Sequence, residues 1–315
     1  MSISIVLEQM IIIFILILLG IFLFRKKMLG ESTARQLSGL IVNITNPAVL
    51  LCSAFDDVPK VSMKELGIGI LVFMLAYAFL ILAAYLIPLL LRIPKREHYS
   101  YRMLTIFGNV GFIGIPLASA VLGSGSLIFV SLCNLVFNIL IYTYGLSSLK
   151  KAAIQQGVYD APEGSENIVT KFVNAGTVSA ILTVIFYLGN FKVPVILSSF
   201  LSYVGRATTL LSMLVLGVSI AQMTPKDIFS HPKLYLFTLI RQILIPVVIT
   251  LLLGLFIRNP LILNTCALML AMPAANMPLM LSKQLNVDEA TISQGIILTT
   301  ILSLVTIPLV TLFIS

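Results

Sequence analysis

Two short runs combine helix-breaking residues with an amide that could bind a polar solute. The first reads Phe107-Gly108-Asn109-Val110-Gly111-Phe112-Ile113-Gly114-Ile115-Pro116, and the second Pro273-Ala274-Ala275-Asn276-Met277-Pro278. Each sets an asparagine beside glycine or proline in an otherwise apolar stretch. An amide offers donors and an acceptor without net charge. Proline removes a backbone donor and clashes with the carbonyl four residues back. Glycine lowers helix stability by roughly 1 kcal/mol relative to alanine. Both runs are therefore expected to unwind a helix, exposing half-helix N-termini whose free N–H groups and partial positive charge suit an anion. The same residues also suit two plain packing kinks. The candidate binding residues are Asn109, Val110, Gly111 and Pro116 in the first run and Pro273, Ala274, Ala275 and Asn276 in the second. Asn46, Asn134, Asn138 and Arg241 join them as polar groups within apolar runs. Asn134 and Asn138 lie one helical turn apart and share a face. These asparagines suit either hydrogen bonds between helices or the wall of a polar cavity. Arg241, followed by Pro246, either snorkels to an interface or supplies positive charge to a cavity.

The elements that must carry these runs follow from composition. Of 315 residues, 59% are hydrophobic and 10% charged, with mean hydropathy +1.08. An average soluble domain is about 45–50% apolar and about 25% charged. A chain this poor in charge cannot cover itself with a wettable surface. That excludes a soluble enzyme, a disordered protein and a nucleic-acid-binding domain, despite the net charge of +8. The expected solvent is a lipid bilayer, which takes about 20 apolar residues per helix. Hydropathy places ten spans at about 5–24, 33–55, 66–91, 102–122, 127–149, 168–189, 196–222, 233–257, 261–282 and 289–314. With the N-terminus outside, most Lys and Arg fall on the cytoplasmic side, leaving Lys60, Lys64, Lys192, Arg206 and Arg258 outside. This predicts a multi-pass plasma-membrane protein with both termini extracellular.

Aligning Pro116-Leu117 with Pro278-Leu279 sets an offset of 162 residues. The same offset brings the starts of spans one, three and five near those of spans six, eight and ten. Five spans per half is odd, so the second half inserts upside down. The expected fold is an all-α membrane protein of ten transmembrane helices in two inverted five-helix repeats, with broken crossover helices four and nine, as in bile-acid symporters. The repeats would occupy 1–152 and 168–315, joined by a polar cytoplasmic connector at 153–167.

The twelve acidic residues fall in loops or near span ends. A pump or cation antiporter usually needs a carboxylate at membrane depth. No GxxxxGK[ST] run is present for ATP, and both histidines lie in loops, away from any nucleophile. The cysteines, Cys52, Cys133 and Cys266, are far apart in apolar runs. No catalytic residues, cofactor, metal site or nucleic-acid partner are expected.

These residues resemble the auxin efflux carrier family, which includes plant PIN proteins and many bacterial members, over nearly the whole chain. Asn109 to Leu117 resembles the N-x-x-x-x-G-I-P-L motif of the family's fourth helix. Gln36 to Pro47 resembles its second-helix segment, Leu214-Val215-Leu216-Gly217 its seventh-helix glycine segment, and Arg241 with Pro246 an R-x-x-x-x-P element of the eighth. Pro273 to Pro278, followed by Lys283, resembles the ninth-helix element. The resemblance implies a scaffold from helices 1, 2, 6 and 7 and a mobile transport domain from helices 3–5 and 8–10. It further implies substrate held where helices four and nine cross, elevator-like movement and, often, a homodimer. By position, Asn109 takes the family's substrate-contacting asparagine role. Gly108 stands where plant members have proline, and their long cytoplasmic loop is reduced to about Lys150–Lys171. Bacterial relatives are associated with malate, malonate and other organic acids. The expected function is secondary-type transport of small organic anions, such as auxin-like molecules or mono- and dicarboxylates. The alternative is a sodium-coupled organic-anion symporter of the bile-acid type.

Overall fold

Apolar residues at helical spacing decide the first element. α1 (Ile3–Arg25) buries Val6, Met10, Ile13 and Ile17, three or four residues apart, while Ile11, Ile15, Leu18 and Phe22 stay more than half exposed. One stripe meets protein and the other is left for lipid. In the computed structural model, which describes residues 3–55, 61–157, 175–189, 193–222, 231–285, 287 and 290–314, every regular element among the described residues is helical.

α1 is followed by α2 (Glu31–Leu40), α3 (Asn46–Phe55), α4 (Met63–Leu90), α5 (His98–Ile106), α6 (Ile115–Leu122), α7 (Leu127–Leu140) and α8 (Leu146–Gln155). After a stretch outside the described residues come α9 (Ala175–Gly189), α10 (Val195–Ala221), α11 (Pro232–Leu239), α12 (Ile245–Gly254), α13 (Pro260–Ala271), α14 (Met277–Gln284) and α15 (Ala290–Ile314). Six helices are long and apolar enough to cross a membrane: Ser4–Arg25, Met63–Leu90, Ser124–Gln155, Val195–Ala221, Pro232–Gly254 and Ala290–Phe313. Val110–Leu122, Ala175–Gly189 and Pro260–Ala271 are shorter apolar helices. The chain is a helical membrane protein. Most of the connector expected at 153–167, and the first part of the sixth expected span, lie outside the described residues.

Four π turns occur among the described residues; Ile141–Gly145 precedes no proline, and the other three share a cause. Ile41–Thr45, Val110–Gly114 and Ile240–Leu244 each precede a proline by two residues, at Pro47, Pro116 and Pro246. Proline cannot donate to the carbonyl four residues back, and its ring crowds that carbonyl. Widening the ladder by one residue makes room, so the helix continues rather than ending. The chain from Glu31 to Phe55 accordingly stays helical throughout.

Packing divides along the same lines. α1 lies chiefly against α10, and α3 against α9 and α10. α4 packs on α5, α7 and α13, and α15 on α11 and α13. Lipid tails are as apolar as leucine, so close backbone approach replaces the hydrophobic effect as the reason helices associate. Gly20 and Gly217 allow it between α1 and α10. A Cβ on Gly217 would fall 2.3 Å from the Ile17 carbonyl oxygen, and one on Gly20 2.6 Å from that of Leu214. On the other side of the molecule, Glu65 closes a capping box with Ser62 at the start of α4. It also accepts a 2.7 Å hydrogen bond from Asn259 Nδ2, the N-cap of α13. Two helix starts are thereby pinned to each other. Arg206 stands inside α10, within the seventh expected span, 196–222.

Overpacking a closed interface costs roughly 1–3 kcal/mol. Gly217→Val should therefore lower the melting temperature of the purified protein by several degrees. Gly67→Ala, where nothing lies within 4 Å of the added carbon, should leave it unchanged. Equal melting temperatures for the two variants would remove the close-approach argument.

Candidate functional site

The two interrupted runs meet. α5 ends at Ile106, Phe107 turns extended (φ −100°, ψ 93°), and Asn109 at φ −78°, ψ 61° forms the centre of an inverse γ-turn closed by Val110 N–H donating to the Gly108 carbonyl at 2.9 Å. In the second run α13 ends at Ala271, and Met272 to Asn276 lie outside any helix before α14 begins. Asn109 N–H donates to the Pro273 carbonyl at 2.6 Å, and Ala275 N–H to the Phe107 carbonyl at 2.9 Å. Gly108 and Ala274 face each other as an isolated antiparallel bridge. Unwound backbone survives at this depth only with its polar groups satisfied, and each break supplies the other's partners. Thr299 of α15 adds one more, its Oγ1 accepting from Ala274 N–H at 3.1 Å.

Arg241 completes the crossing from behind. It is 2% exposed, so it does not snorkel. Its Nε donates to the Thr105 carbonyl and its Nη1 to the Leu270 carbonyl, both at 2.5 Å. These carbonyls belong to the last turns of α5 and α13, which carry the negative ends of the helix dipoles. One guanidinium thus ties together the ends of both interrupted helices, as its planar fork of donors allows. A small chamber holding Arg241, Tyr77 and Cys133 lies there, and Gly108 forms part of its wall.

On the other side of Gly108 opens a cavity of about 470 Å³. Asn46, Asn109, Val110, Gly111, Asn134, Asn138, Ala275 and Asn276 line it. Of the remaining sequence candidates, Pro273 and Ala274 sit in the bridge, Arg241 in the chamber behind it, and Pro116 on a different cavity. Asn109 is 5% exposed; its Oδ1 caps the following turn by accepting from Phe112 N–H at 3.0 Å, and its Nδ2 has no partner. Thr45 Oγ1 and Asn46 Oδ1 are also buried without partners. Leaving a buried polar atom unsatisfied costs about 1–3 kcal/mol, so a native structure that keeps several at one place calls for an explanation. Asn134 Nδ2 and Asn138 Nδ2 bond back to the carbonyls of Val130 and Asn134, one turn earlier. No acceptor is found among the described residues for the N–H groups of Gly111 or Asn276.

The cavity also has walls that the sequence reading missed. Glu31, Arg35, Ser38 and Val42 form one face of the second helical segment with the expected Asn46, and Tyr142, Ser179, Gln222 and Ser293 contribute from four others. The steps of three or four residues from Glu31 to Asn46 were a readable signal. Glu31 and Arg35 pair at 3.7 Å, but both are largely exposed, so the pair is screened and adds little stability.

Two comparisons with known proteins bear on the chain's family. A family model described as "Membrane transport protein" matches residues 5–311. A protein of Methanocaldococcus jannaschii, described as an uncharacterized transporter, is 25% identical over 309 residues, covering 96% of this chain and 96% of the relative.

Removing the Arg241 guanidinium would leave the Thr105 and Leu270 carbonyls unpaired where no water replaces it. Arg241→Gln should lower the melting temperature clearly, and Arg241→Lys should recover only part of the loss, because an ammonium cannot hold both carbonyls in the planar fork. Full recovery by lysine in a thermal unfolding series would show that charge alone suffices.

Proposed function

The chain belongs to the membrane transport protein family, the family of the auxin efflux carriers, and from that premise we propose that it carries small organic anions across the plasma membrane. One observation carries the reading. Two helix breaks, bonded to each other, form the floor of a cavity in which a buried amide donor, Asn109 Nδ2, has no partner. A carboxylate offers what this donor and the N–H groups of Gly111 and Asn276 lack. Hydrogen bonds to a charged group are worth about 1.5–3 kcal/mol each. The cavity's size, about 470 Å³, leaves room for a mono- or dicarboxylate with some of its water.

The proposed architecture is ten spans in two inverted repeats, with both termini outside the cell. In it, α1, α2, α3, α9 and α10 form the scaffold, and the remaining helices form a bundle that carries the crossing. The backbone contact at Gly20 and Gly217 supports a rigid scaffold. The pinning of α4 to α13 and the Arg241 clamp support a bundle that moves as one body. The cavity runs from the crossing along α2 to Glu31 and along α10 to Gln222. The Glu31 end follows Arg25-Lys26-Lys27 in sequence and the Gln222 end precedes Lys226, all cations that the sequence reading assigns to the cytoplasmic side, so this conformation is read as open to the cytoplasm. Elevator-like sliding of the bundle would then present the same floor to the other side. The large exposed side chains at the start of α10, Val195, Ile196, Phe200 and Tyr203, would face lipid or a second copy.

A sodium-coupled symporter is a second reading with an observation of its own. Thr45 Oγ1 and Asn46 Oδ1, on consecutive residues, are both buried and unpartnered, and oxygen ligands suit a hard cation.

Uptake of radiolabelled malonate and related acids into proteoliposomes tests both. Asn109→Ala should reduce uptake at least tenfold, the equivalent of one charge-assisted hydrogen bond. Asn134→Ala should reduce it only a few-fold. Uptake by Asn109→Ala at the parent rate for every acid would sink the site assignment. Replacing sodium with potassium should leave uptake intact if the carrier is not sodium-coupled and abolish it if it is.

A further inference from the structure

The molecule holds a second cavity, of about 380 Å³, that the transport reading does not use. Position along α10 separates the two. Val215 to Gln222 line the first cavity, and Leu201 to Thr209 the second. Six residues from Thr209 to Val215 correspond to about 9 Å of helix rise, so the cavities lie at different levels along α10. Ile115, 2% exposed, lines both. One apolar side chain therefore stands between them at the crossing helix.

The second cavity has a chemistry. Arg206 lines it, and this residue lies inside a helix long and apolar enough to cross a membrane. Arg206 is exposed; a guanidinium within a lipid-crossing helix is costly in lipid, so it turns to a wet cavity or a partner of opposite charge. Among the described residues Arg206 makes no ion pair, and no carboxylate lines the cavity. Two residues further on, Thr208 also lines the cavity; it is 1% exposed, and its Oγ1 is buried without a hydrogen-bond partner. Ser119, Ser202 and Thr209 add hydroxyl groups to the wall. A cation with unpaired donors and neighbouring hydroxyls, facing no acid, is the composition of an oxyanion site.

We propose that this second cavity is an anion-binding site in its own right, taking a carboxylate or phosphate group on Arg206 and Thr208 from the side of Ile115 opposite the central cavity. The proposal does not depend on which anion, if any, the central cavity carries. Two sources share the chemistry: a free small anion, and the headgroup of an acidic lipid.

Cys52 lines the same cavity and reports on it, whereas Cys133 and Cys266 are buried, at 2% and 0% exposed. The purified protein, in phosphatidylcholine nanodiscs, is reacted with methanethiosulfonates bearing either a sulfonate or a trimethylammonium group. Cys52→Ser identifies the signal. The anionic-to-cationic rate ratio is expected to fall at least fivefold in Arg206→Gln and to stay near the parent value in Arg206→Lys. In the unmodified protein, malonate is expected to slow the anionic reagent at least threefold, which identifies a free anion as the occupant. Slowing by phosphatidylglycerol in the nanodisc, but not by malonate, identifies a lipid headgroup. An unchanged ratio in Arg206→Gln, or no slowing by either anion, overturns the proposal. Protection of Cys52 is expected to persist in Asn109→Ala, so failure of this site and failure of the central one are read separately.

Discussion

Every N–H and C=O released by a helix break inside hydrocarbon has to find a partner, and here two breaks far apart in sequence find each other. Asn109 N–H takes the Pro273 carbonyl and Ala275 N–H the Phe107 carbonyl. The helix ends on either side have the same difficulty, and Arg241 meets it for both at once through Thr105 and Leu270. Thr299 reaches Ala274 from α15. Exposed groups at this depth would cost several kcal/mol each, so neither break is stable without the other. The pairing also decides what remains for a ligand. The sequence reading offered the whole set of half-helix N–H groups to an anion, but the groups of Asn109, Ala274 and Ala275 are committed to the crossing. The Asn109 side chain and the N–H groups of Gly111 and Asn276 are what is left.

Gly108 matters for a reason other than turn conformation. It lines the large cavity on one side and the Arg241 chamber on the other. A Cβ there would come within 3.2 Å of Arg241 Nη2. The main chain at this point is therefore as thin as a protein wall can be, and the guanidinium lies just behind it. Coulomb interactions fall off slowly where water is scarce, so the charge acts on the cavity without lining it. Of the two readings of Arg241 left open by the sequence, burial removes snorkelling, while the other, positive charge supplied to a cavity, takes an arrangement in which the guanidinium stands behind the wall. It depends on where the carbonyls of Thr105 and Leu270 end up, which no local pattern encodes.

What the sequence made legible was local. Proline and glycine disrupt a helix by covalent geometry alone, so the breaks near Asn109 and Asn276, and the distortions ahead of Pro47, Pro116 and Pro246, could be placed from residue type. Asn134 and Asn138 share a cavity wall because a helical turn separates them. Illegible were the features set by tertiary contact. Pro116 falls on the second cavity because the helix that begins after the break has turned by that point to face α1 and α10. The stripe from Glu31 to Asn46 was visible at helical spacing, but it had to be followed through a π turn, where the face of a helix shifts.

The stretch from Asn109 to Ser119 touches, in order, the floor of the central cavity, the Ile115 barrier and the wall of the second cavity. A helix that lined a static pore would show one continuous cavity along that length. Here the two spaces are divided by a buried isoleucine on the same segment that carries the unpartnered amide of Asn109. If the bundle slides relative to α1 and α10, Asn109 and Ile115 travel together, so the barrier and the site cannot be moved independently. That coupling is a requirement of alternating access, because a site that crossed without its barrier would open a leak. The π turn at Val110–Gly114 lies between the two residues and fixes their spacing. The proline that forces the turn is thus tied to transport through geometry, even though Pro116 itself lies outside the central cavity.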